Sequence, residues 1–569
     1  MKTRYTLLLL PAVFIPIALT AQGPLTPPAG APGPTMKTLQ QVEPRVDVAT
    51  LPGDATAVFL ITAPGSYFLS GNVTVPSGRA GIAIAAADVE LDLGGFTVTG
   101  AAGSVRGVEL RGNADNVRVR HGAIAGITAG PGVGVAAAAD PDNVHLADLI
   151  IRNCAGGIAM LQANSVKAEN ISVTGSTSHG IDLGTRGTAH RCVVDATSGA
   201  SAAAIIGIRG NSVIDCQVTG HTNTAGAATG ISGGHVQGCT VSTLAGAVGE
   251  TNGILATDVT SCKVNSVIST GVTGININVN GIQSSGHASH CTVSGVTGSG
   301  PAARGIAADT VTGCHVESIG SAECTGATGI SGGSGTVSQS TASNIGEFNM
   351  AAQSTGIVGG QVSQCRVSTM NGRAVLLGIT AASAAHCSVQ SVTQSGAATT
   401  GTVTGIAAQH IIECQVRDLN GASPSNTVGF ASYLLASHCT ASDVMNTGTG
   451  SSIGFQAGAG GQTVDSFHSG GSQFGMVCGN GCVVRGCSIS LAGSGIGISA
   501  TGSQCVIDTN SIRSCATGIN LTGTNGLVIR NRITLCTVNL FTSATSQAGP
   551  VVTAQGLIAS TNPWANFTD

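Results

Sequence analysis

A short motif of apolar and small residues recurs along most of the chain. A glycine followed by an apolar residue appears 19 times in one phase between Gly81 and Gly518, with a mean spacing of about 24 residues. In its fullest form the unit reads G-I, five residues, V, two residues, C-x-V, two residues, and an aliphatic residue, as in Val236, Cys239 and Val241. Short alternating runs of β-branched residues between Gly, Ser, Thr and Asn predict strands joined by turns.

No repeat unit contains ten residues of helical period, and about 24 residues fit three short strands with three turns. We therefore predict an all-β, single-stranded parallel β-helix of about 19 coils over residues 81–540, with an N-terminal cap at 38–80 and a C-terminal cap or tail at 541–569. A leucine-rich repeat has a similar length, but its leucine and asparagine frame is absent.

Twelve of the 18 cysteines occupy one slot of the frame, on the same strand face as the valine or isoleucine two residues later. That face is apolar, so we predict an interior column of buried, reduced thiols, since parallel in-register neighbours suit the disulfide dihedral poorly. The column comprises Cys192, Cys216, Cys239, Cys262, Cys291, Cys314, Cys365, Cys387, Cys414, Cys439, Cys487 and Cys505. Outside it, Cys478 with Cys482 and Cys515 with Cys536 are candidate disulfide pairs.

Several segments resemble a known superfamily. The repeat resembles the right-handed parallel β-helix superfamily, the fold class of pectate lyases and polygalacturonases. The segment PGSYFLSGNV, the following GIAIAAADVELDLGGFTVTG and the ending NPWANF are similar to secreted bacterial β-helix-repeat proteins of largely unassigned function. The resemblance and the general rule for parallel connections imply a right-handed helix. The resemblance is specific for the fold and says little about the activity.

Composition and the N-terminal sequence limit which kinds of protein this chain can be. Only 9% of residues are charged and the net charge is −4, which gives no basic face for nucleic acid. Residues 1–21 have the layout of a secretory signal and 22–37 that of a Pro/Gly-rich tether, so we expect an exported protein. After residue 21 no apolar run is long enough to predict a membrane span.

Motifs for known β-helix enzymes are absent. The N-T-D, D-D, G-H-G and R-I-K motifs expected of a polygalacturonase-like enzyme are missing, as is an aspartate cluster for a pectate-lyase-like calcium site. No C-x2-C pair occurs, so we expect no metal site and no cofactor.

The densest run of charge contains the catalytic candidates. Residues 178–196 contain His179, Asp182, Arg186 and Asp195, from which an acid and base pair can be assembled. The repeat favours a simpler interpretation, because Asp182 aligns with Arg209 in the next coil, and the two are expected to be outward-facing partners in a salt bridge.

A second, sparser group of polar residues lies on the strand after the cysteine. Its candidates for binding an anionic glycan are Lys263, His315, Glu317, Arg366 and Arg417. We therefore predict a secreted β-helix rod with a structural, adhesive or glycan-contacting role, whose partners are extracellular polysaccharide or cell-surface components. The alternative is a carbohydrate-active enzyme, a lyase or a hydrolase, on the same scaffold. Fold alone does not decide between them, and the oligomeric state is not predicted.

Overall fold

Short parallel strands make up nearly all the regular structure of the chain. The computed structural model describes residues 45–112, 114–130, 132–269, 278–298, 302–320, 326–347, 353–395, 401–553 and 560–569. The predicted signal at 1–21 and tether at 22–37 lie outside these residues. Val46–Asp569 forms one unit, described below.

The strands are given in chain order. The first group, with the short 3-10 helix Val48–Thr50, is β1 Val46–Asp47, β2 Ala57–Ile61, β3 Gly65–Phe68, β4 Val73–Val75, β5 Ala80–Ile84, β6 Val89–Asp92, β7 Thr97–Gly100, β8 Arg106–Leu110, β9 Arg118–Ala125, β10 Val133–Ala137, β11 Val144–Arg152, β12 Gly156–Ala159, β13 Val166–Glu169, β14 Ser172–Thr174, β15 Ile181–Asp182, β16 Thr188–His190, β17 Val193–Asp195, β18 Ser198–Gly199 and β19 Ile205–Ile214. The second group is β20 Gln217–Asn223, β21 Ala228–Gln237, β22 Thr240–Gly246, β23 Thr251–Thr260, β24 Lys263–Ser269, β25 Asn278–Ser284, β26 His287–Ser289, β27 Thr292–Gly298, β28 Ala302–Ala307, β29 Thr310–Thr312, β30 His315–Ile319, β31 Gly326–Ser331, β32 Thr336–Ser338, β33 Thr341–Glu347, β34 Gln353–Ser363, β35 Arg366–Gly372, β36 Val375–Ala385, β37 Ser388–Gln394, β38 Val403–Ile412, β39 Gln415–Gly421 and β40 Thr427–Ser437. The third group is β41 Thr440–Asn446, β42 Ser452–Ala457, β43 Gln462–Val464, β44 Phe467–Gly470, β45 Phe474–Cys478, β46 Val483–Arg485, β47 Ser488–Leu491, β48 Ile496–Ala500, β49 Val506–Asp508, β50 Ser511–Arg513, β51 Thr517–Leu521, β52 Leu527–Ile529, β53 Arg532–Thr534, β54 Val538–Thr542, β55 Gln547–Ala548, β56 Val551–Thr553 and β57 Asn566–Thr568.

The strands stack in three parallel columns, so the fold is a right-handed parallel β-helix of about 20 turns, as predicted. The Gly-Ile column runs from β2 through β5, β8 and β10 to β54; the pre-cysteine column runs from β3 through β6, β9 and β11 to β52; the post-cysteine column runs from β4 through β7 to β53. In several long strands, such as β19, one strand bends through two columns. Strands β2–β4, within the segment predicted as the N-terminal cap, already pair with β5–β7.

The repeated glycine is required because neighbouring coils approach closely. A Cβ atom on Gly253 would lie 2.4 Å from the carbonyl oxygen of Gly281 and 2.5 Å from Cγ1 of Val264, the valine of a C-x-V unit. The same clash recurs at Gly230 and Gly475, each against the next glycine of the column. Glycine therefore marks the place where the Gly-Ile strand packs on the interior valine column.

The core is built from stacked columns of similar apolar side chains. Ile231, Ile254 and Ile282 follow one another in register along the Gly-Ile column and are fully buried. Further along the same row, Phe430 and Phe455 stack with ring centroids 4.8 Å apart. Each coil is therefore stabilised mainly by burial against the coils on either side.

The cysteine column lies inside the solenoid and also completes backbone hydrogen bonding. The N–H of Cys239 donates to Sγ of Cys262 in the next coil at 3.4 Å, and the N–H of Cys314 donates in the same way to Oγ of Ser340 at 3.1 Å. Eleven of the twelve predicted members are buried at this slot, and all are free thiols. The slot therefore takes a small side chain with an acceptor atom.

Cys505 is the exception, and its assignment to the column was wrong. The register aligns Val506 with Val483, so Cys505 precedes a pre-cysteine strand and not a post-cysteine one. The slot in that coil belongs to Asn510, whose Oδ1 accepts the N–H of Cys487 at 2.9 Å. Asn531 and Asn566 continue the column to the last strand.

The candidate disulfide cysteines are free thiols. Cys478 is the last residue of β45 and is buried, whereas Cys482 follows the turn and donates to the carbonyl of Gly458 at 2.9 Å. Cys515 and Cys536 occupy equivalent positions after β50 and β53. Burial raises the pKa of Cys487 to about 12, so this column thiol stays protonated at neutral pH.

The bend before the post-cysteine strand is a single left-handed residue. Asn170, Arg191, Asp215 and Ser261 take φ between 52° and 54° at this place in successive or nearby coils, and Gly238 takes φ 64°. Asn, Asp and Gly tolerate this region best. The bend column therefore tolerates varied side chains, which point into solvent, while its backbone geometry is kept.

Candidate functional site

A groove lies on the outer side of the Gly-Ile column, where its strands turn into the pre-cysteine column. Two adjoining cavities of about 510 Å³ and about 360 Å³ form it and share Ser232, Gly233 and Leu255. The groove extends from Gly184 to Ser285 and so crosses several coils. Elongated clefts with a few convergent polar groups are the usual form of a ligand site.

The strand register sets the order of side chains along this groove. Asp182 pairs with Arg209 in the next coil, Arg209 with Ser232, Ser232 with Leu255, and Leu255 with Gln283. Adjacent members are one strand spacing apart, about 4.8 Å. The row therefore offers a charged end, an apolar centre and an amide end.

Asp182 and Arg209 form the predicted ion pair. Oδ2 of Asp182 lies 3.5 Å from the Arg209 guanidinium, and Oδ1 accepts the N–H of Gly184 at 3.1 Å. Asp182 is only 7% exposed, which differs from the expected solvent-facing position, because the turn at Gly184 folds over it. Arg209 is 34% exposed and lines the groove, so it presents an oriented cation to a ligand.

His179 lies close to this pair and is held in a tight space. A Cβ atom on Gly156 of the preceding coil would lie 2.7 Å from Cε1 of His179, so glycine there makes room for the imidazole. Its Nδ1 lies 3.1 Å from Oγ of Ser178, and its buried Nε2 has no hydrogen-bond partner among the described residues. Burial lowers the pKa of His179, against the opposing charge of Asp182, which favours the neutral ring.

The other two catalytic candidates lie elsewhere. Arg186 follows the Gly184 turn and donates to Oδ1 of Asn164. Asp195 ends β17 in the post-cysteine column, in register with Thr174 and Thr219. The four candidates are close in sequence because one coil contains them all, but the coil distributes them over different sides. The sequence indicated Arg209 only as a salt-bridge partner, whereas the structure also places it in the groove wall.

The five residues predicted as ligand candidates lie on strands of the post-cysteine column and are widely spaced. Lys263, His315 and Arg366 share a row in which Thr292 and Thr341 separate them, so consecutive charges are two strand spacings apart, about 9.6 Å. Glu317 and Arg417 lie on the parallel row two residues further along their strands. Nε2 of His315 lies 3.7 Å from the Glu317 carboxylate, and Arg417 donates to Gln390 at 2.7 Å.

An ion network on the pre-cysteine column was not predicted. Residues 45–215 hold 25 of the 50 charged side chains of the chain. Here Arg120 contacts Glu90 at 2.8 Å and Asp92 at 3.4 Å, and Lys167 contacts Glu169 at 2.8 Å. Further members are His121, His145, Asp148, His190 and Asp215. Hydrogen bonds from Lys167 and His190 lower the pKa of Glu169 to about 2. Since the charges neutralise one another, the network stabilises neighbouring strands. The sequence feature that could have predicted this network is that its charged residues occupy the outward-facing positions of β6, β9, β11 and β13.

Across the part of the chain that the structure describes, no three His, Cys, Asp or Glu side chains are grouped to hold a metal ion. No helix in the described ranges has the length and apolar character to cross a bilayer.

Comparisons with known proteins identify no family for this chain. No protein-family model and no curated protein matches the chain. Among solved structures, the A-module of the mannuronan C-5 epimerase AlgE6 of Azotobacter vinelandii is 11% identical over 83% of this chain and 91% of its own, with a TM-score of 0.17. Tailspike protein 3 of bacteriophage CBA120 is 11% identical over 92% of this chain and 65% of its own, with a TM-score of 0.13.

Proposed function

We propose that this β-helix binds an extended glycan along the groove between Gly184 and Ser285, in an adhesive or structural role outside the cell. The observation that carries the proposal is the groove itself, which crosses successive coils in register and has Arg209 at one end. A polymer of sugar rings is a ligand with repeating polar groups that matches such a repeating surface.

The lining of the groove supports a sugar ligand. Thr229, Ser232 and Gln283 offer hydroxyl and amide groups that both donate and accept, and Leu255 offers an apolar surface between them. Arg209, oriented by Asp182, can pair with a carboxylate of an acidic sugar. The expected export through residues 1–21 would place this surface among extracellular polysaccharides.

A binding titration with matched arginine variants tests the proposal. Isothermal titration calorimetry against neutral and uronate-containing polysaccharides should show binding by the native protein. Arg209→Gln should weaken binding of the acidic polymer about tenfold, the size of one charge-assisted contact. Arg186→Gln is the control, because Arg186 pairs with Asn164 and is not part of the groove lining. Equal affinity of the two variants, or no binding by the native protein, would contradict the proposal.

A carbohydrate-active enzyme is the second candidate, and His179 is the observation that favours it. A neutral imidazole with an unpartnered Nε2, close to a carboxylate and a cation, has the components of a general base site. Product release from a panel of polysaccharides, abolished by Asp182→Asn and kept by Arg186→Gln, would establish this activity. Absence of product across the panel leaves the glycan-binding function as the better description.

A further inference from the structure

The register of the Gly-Ile column is interrupted at one β-bulge. Strands β38 and β40 pair Ala408 with Ser432 and His410 with Leu435. One residue therefore lies between these pairs on β38, whereas two residues, Tyr433 and Leu434, lie between them on β40. A bulge of this kind redirects side chains that regular alternation would send to opposite faces.

The bulge exposes two consecutive apolar side chains. Tyr433 is 62% exposed and Leu434 is 49% exposed. The neighbouring Gly458 leaves the ring uncovered by a side chain, since a Cβ there would lie only 3.5 Å from Cδ1 of Tyr433. Gln409 and His410 are exposed beside it. The result is an apolar platform with a polar border in a chain that has only three tyrosines and one tryptophan.

The platform lies on the same edge of the solenoid as the groove. Ser284 at the groove and Ser432 before the bulge are at the same turn, from the Gly-Ile column into the pre-cysteine column. Their strands β25 and β40 are six pairing steps apart, by way of β28, β31, β34, β36 and β38. At one strand spacing a step, the separation is about 29 Å along the axis.

We propose that Tyr433 and Leu434 form a second subsite, which packs against the nonpolar face of an uncharged sugar ring in the polymer that the groove binds. The inference rests on the glycan-binding function proposed above. A sugar ring has an apolar face bordered by hydroxyl groups, and the platform has an aromatic ring bordered by amide and imidazole groups. Tyrosine provides such a surface at little cost in side-chain entropy.

The two subsites together favour long ligands. A polymer that reaches from the groove to Tyr433 gains the second contact at high effective concentration, whereas a short oligosaccharide fills one subsite only. Tyr433→Ala should therefore weaken binding of the polymer about fivefold or more and leave binding of a short acidic oligosaccharide in the groove unchanged. Tyr433→Phe keeps the ring and should bind the polymer as the native protein does.

The experiment is calorimetry on the full chain with polymer and short oligosaccharide, comparing the native protein, Tyr433→Ala, Tyr433→Phe and Arg209→Gln. If Arg209→Gln weakens binding and Tyr433→Ala does not, the subsite is overturned and the groove function stands. If the native protein binds no glycan, both fail. Light scattering on the same samples tests the other occupant of an apolar platform. Self-association that Tyr433→Ala abolishes would make the platform an interface between copies and overturn the proposal.

Discussion

At the scale of single residues, the narrow space between neighbouring coils decides which side chains the repeated positions allow. The repeated glycine has ordinary backbone angles but no room for a methyl group, because in most coils the next glycine carbonyl and an interior valine or isoleucine occupy that space. The glycine is therefore repeated for a steric reason. The space available for a Cβ atom differs, however, from one glycine to the next within a single coil.

Two glycines of one coil provide a direct test. A Cβ on Gly475 would lie 2.5 Å from the Gly497 carbonyl oxygen and 2.7 Å from Cγ2 of Ile489, whereas one on Gly471 meets no atom within 4 Å. We expect Gly475→Ala to lower the free energy of unfolding by about 1–3 kcal/mol, as overpacking does. Gly471→Ala should leave it within about 0.5 kcal/mol. Urea denaturation measures both, and equal stability of the two variants would contradict the steric explanation.

Buried histidines give the solenoid a stability that depends on pH. Burial lowers the pKa of His221 and of His468 to about 4, from 6.5. Between pH 6.5 and 4 the unfolded chain binds a proton on each histidine and the folded chain does not, so the free energy of unfolding falls as the pH is lowered. The loss approaches about 3 kcal/mol per histidine at the acid end.

The variant His221→Leu isolates this effect. Leu244 fills the equivalent interior position of the next coil, so leucine suits the space. Denaturation at pH 7 and pH 4.5 should show a smaller loss of stability on acidification for His221→Leu than for the native protein. An unchanged difference between the two pH values would show that His221 does not carry the dependence.

At the scale of elements, the sequence predicts strands, period and column very well but not where a column changes its residue type. The C-x-V frame gave the correct slot for eleven cysteines because the packing repeats every coil. It failed at Cys505, since Cys505-Val506-Ile507 imitates the frame while Asn510 performs the same hydrogen bonding five residues later. The groove and the bulge were not predicted, because both depend on how turns of unequal length fold over neighbouring coils.

The cysteine column allows the acceptor role of the side chain to be separated from its size. Cys262 accepts the buried N–H of Cys239 through its sulfur. Cys262→Ser retains an acceptor, as Ser340 and Ser466 show, and should cost less than about 1 kcal/mol. Cys262→Ala leaves the N–H unpartnered and should cost about 1–3 kcal/mol. Chemical denaturation ranks the two variants, and a serine variant less stable than the alanine variant would contradict the acceptor role.

At the scale of the whole molecule, the columns make the interior inaccessible from one end of the described structure to the other. Sixteen of the 17 described cysteines are buried as free thiols, and Cys536 is half-buried near the C-terminal end. A hydrogen bond from Cys515 lowers the pKa of Cys536 to about 7, so its thiolate is populated at neutral pH.

Thiol labelling measures this closure across the chain. In a Cys324→Ser background, which removes the cysteine outside the described residues, a thiol-reactive dye should label one cysteine rapidly in the native protein. The same dye should label all 17 in denaturant, and Cys536→Ser should remove the rapid reaction. Rapid native labelling of several cysteines would show that the columns open.

The strand register shared by neighbouring windings also bears on how the length of such a gene can change. Because the upper edge of each winding matches the lower edge of any other with the same frame, unequal recombination between repeats can duplicate or remove a whole winding, and the strands on either side of the junction still pair. An inserted partial winding would leave strands without a partner in the neighbouring winding. Molecular length is therefore free to vary in whole units, with the edge that carries the groove lengthened or shortened in proportion.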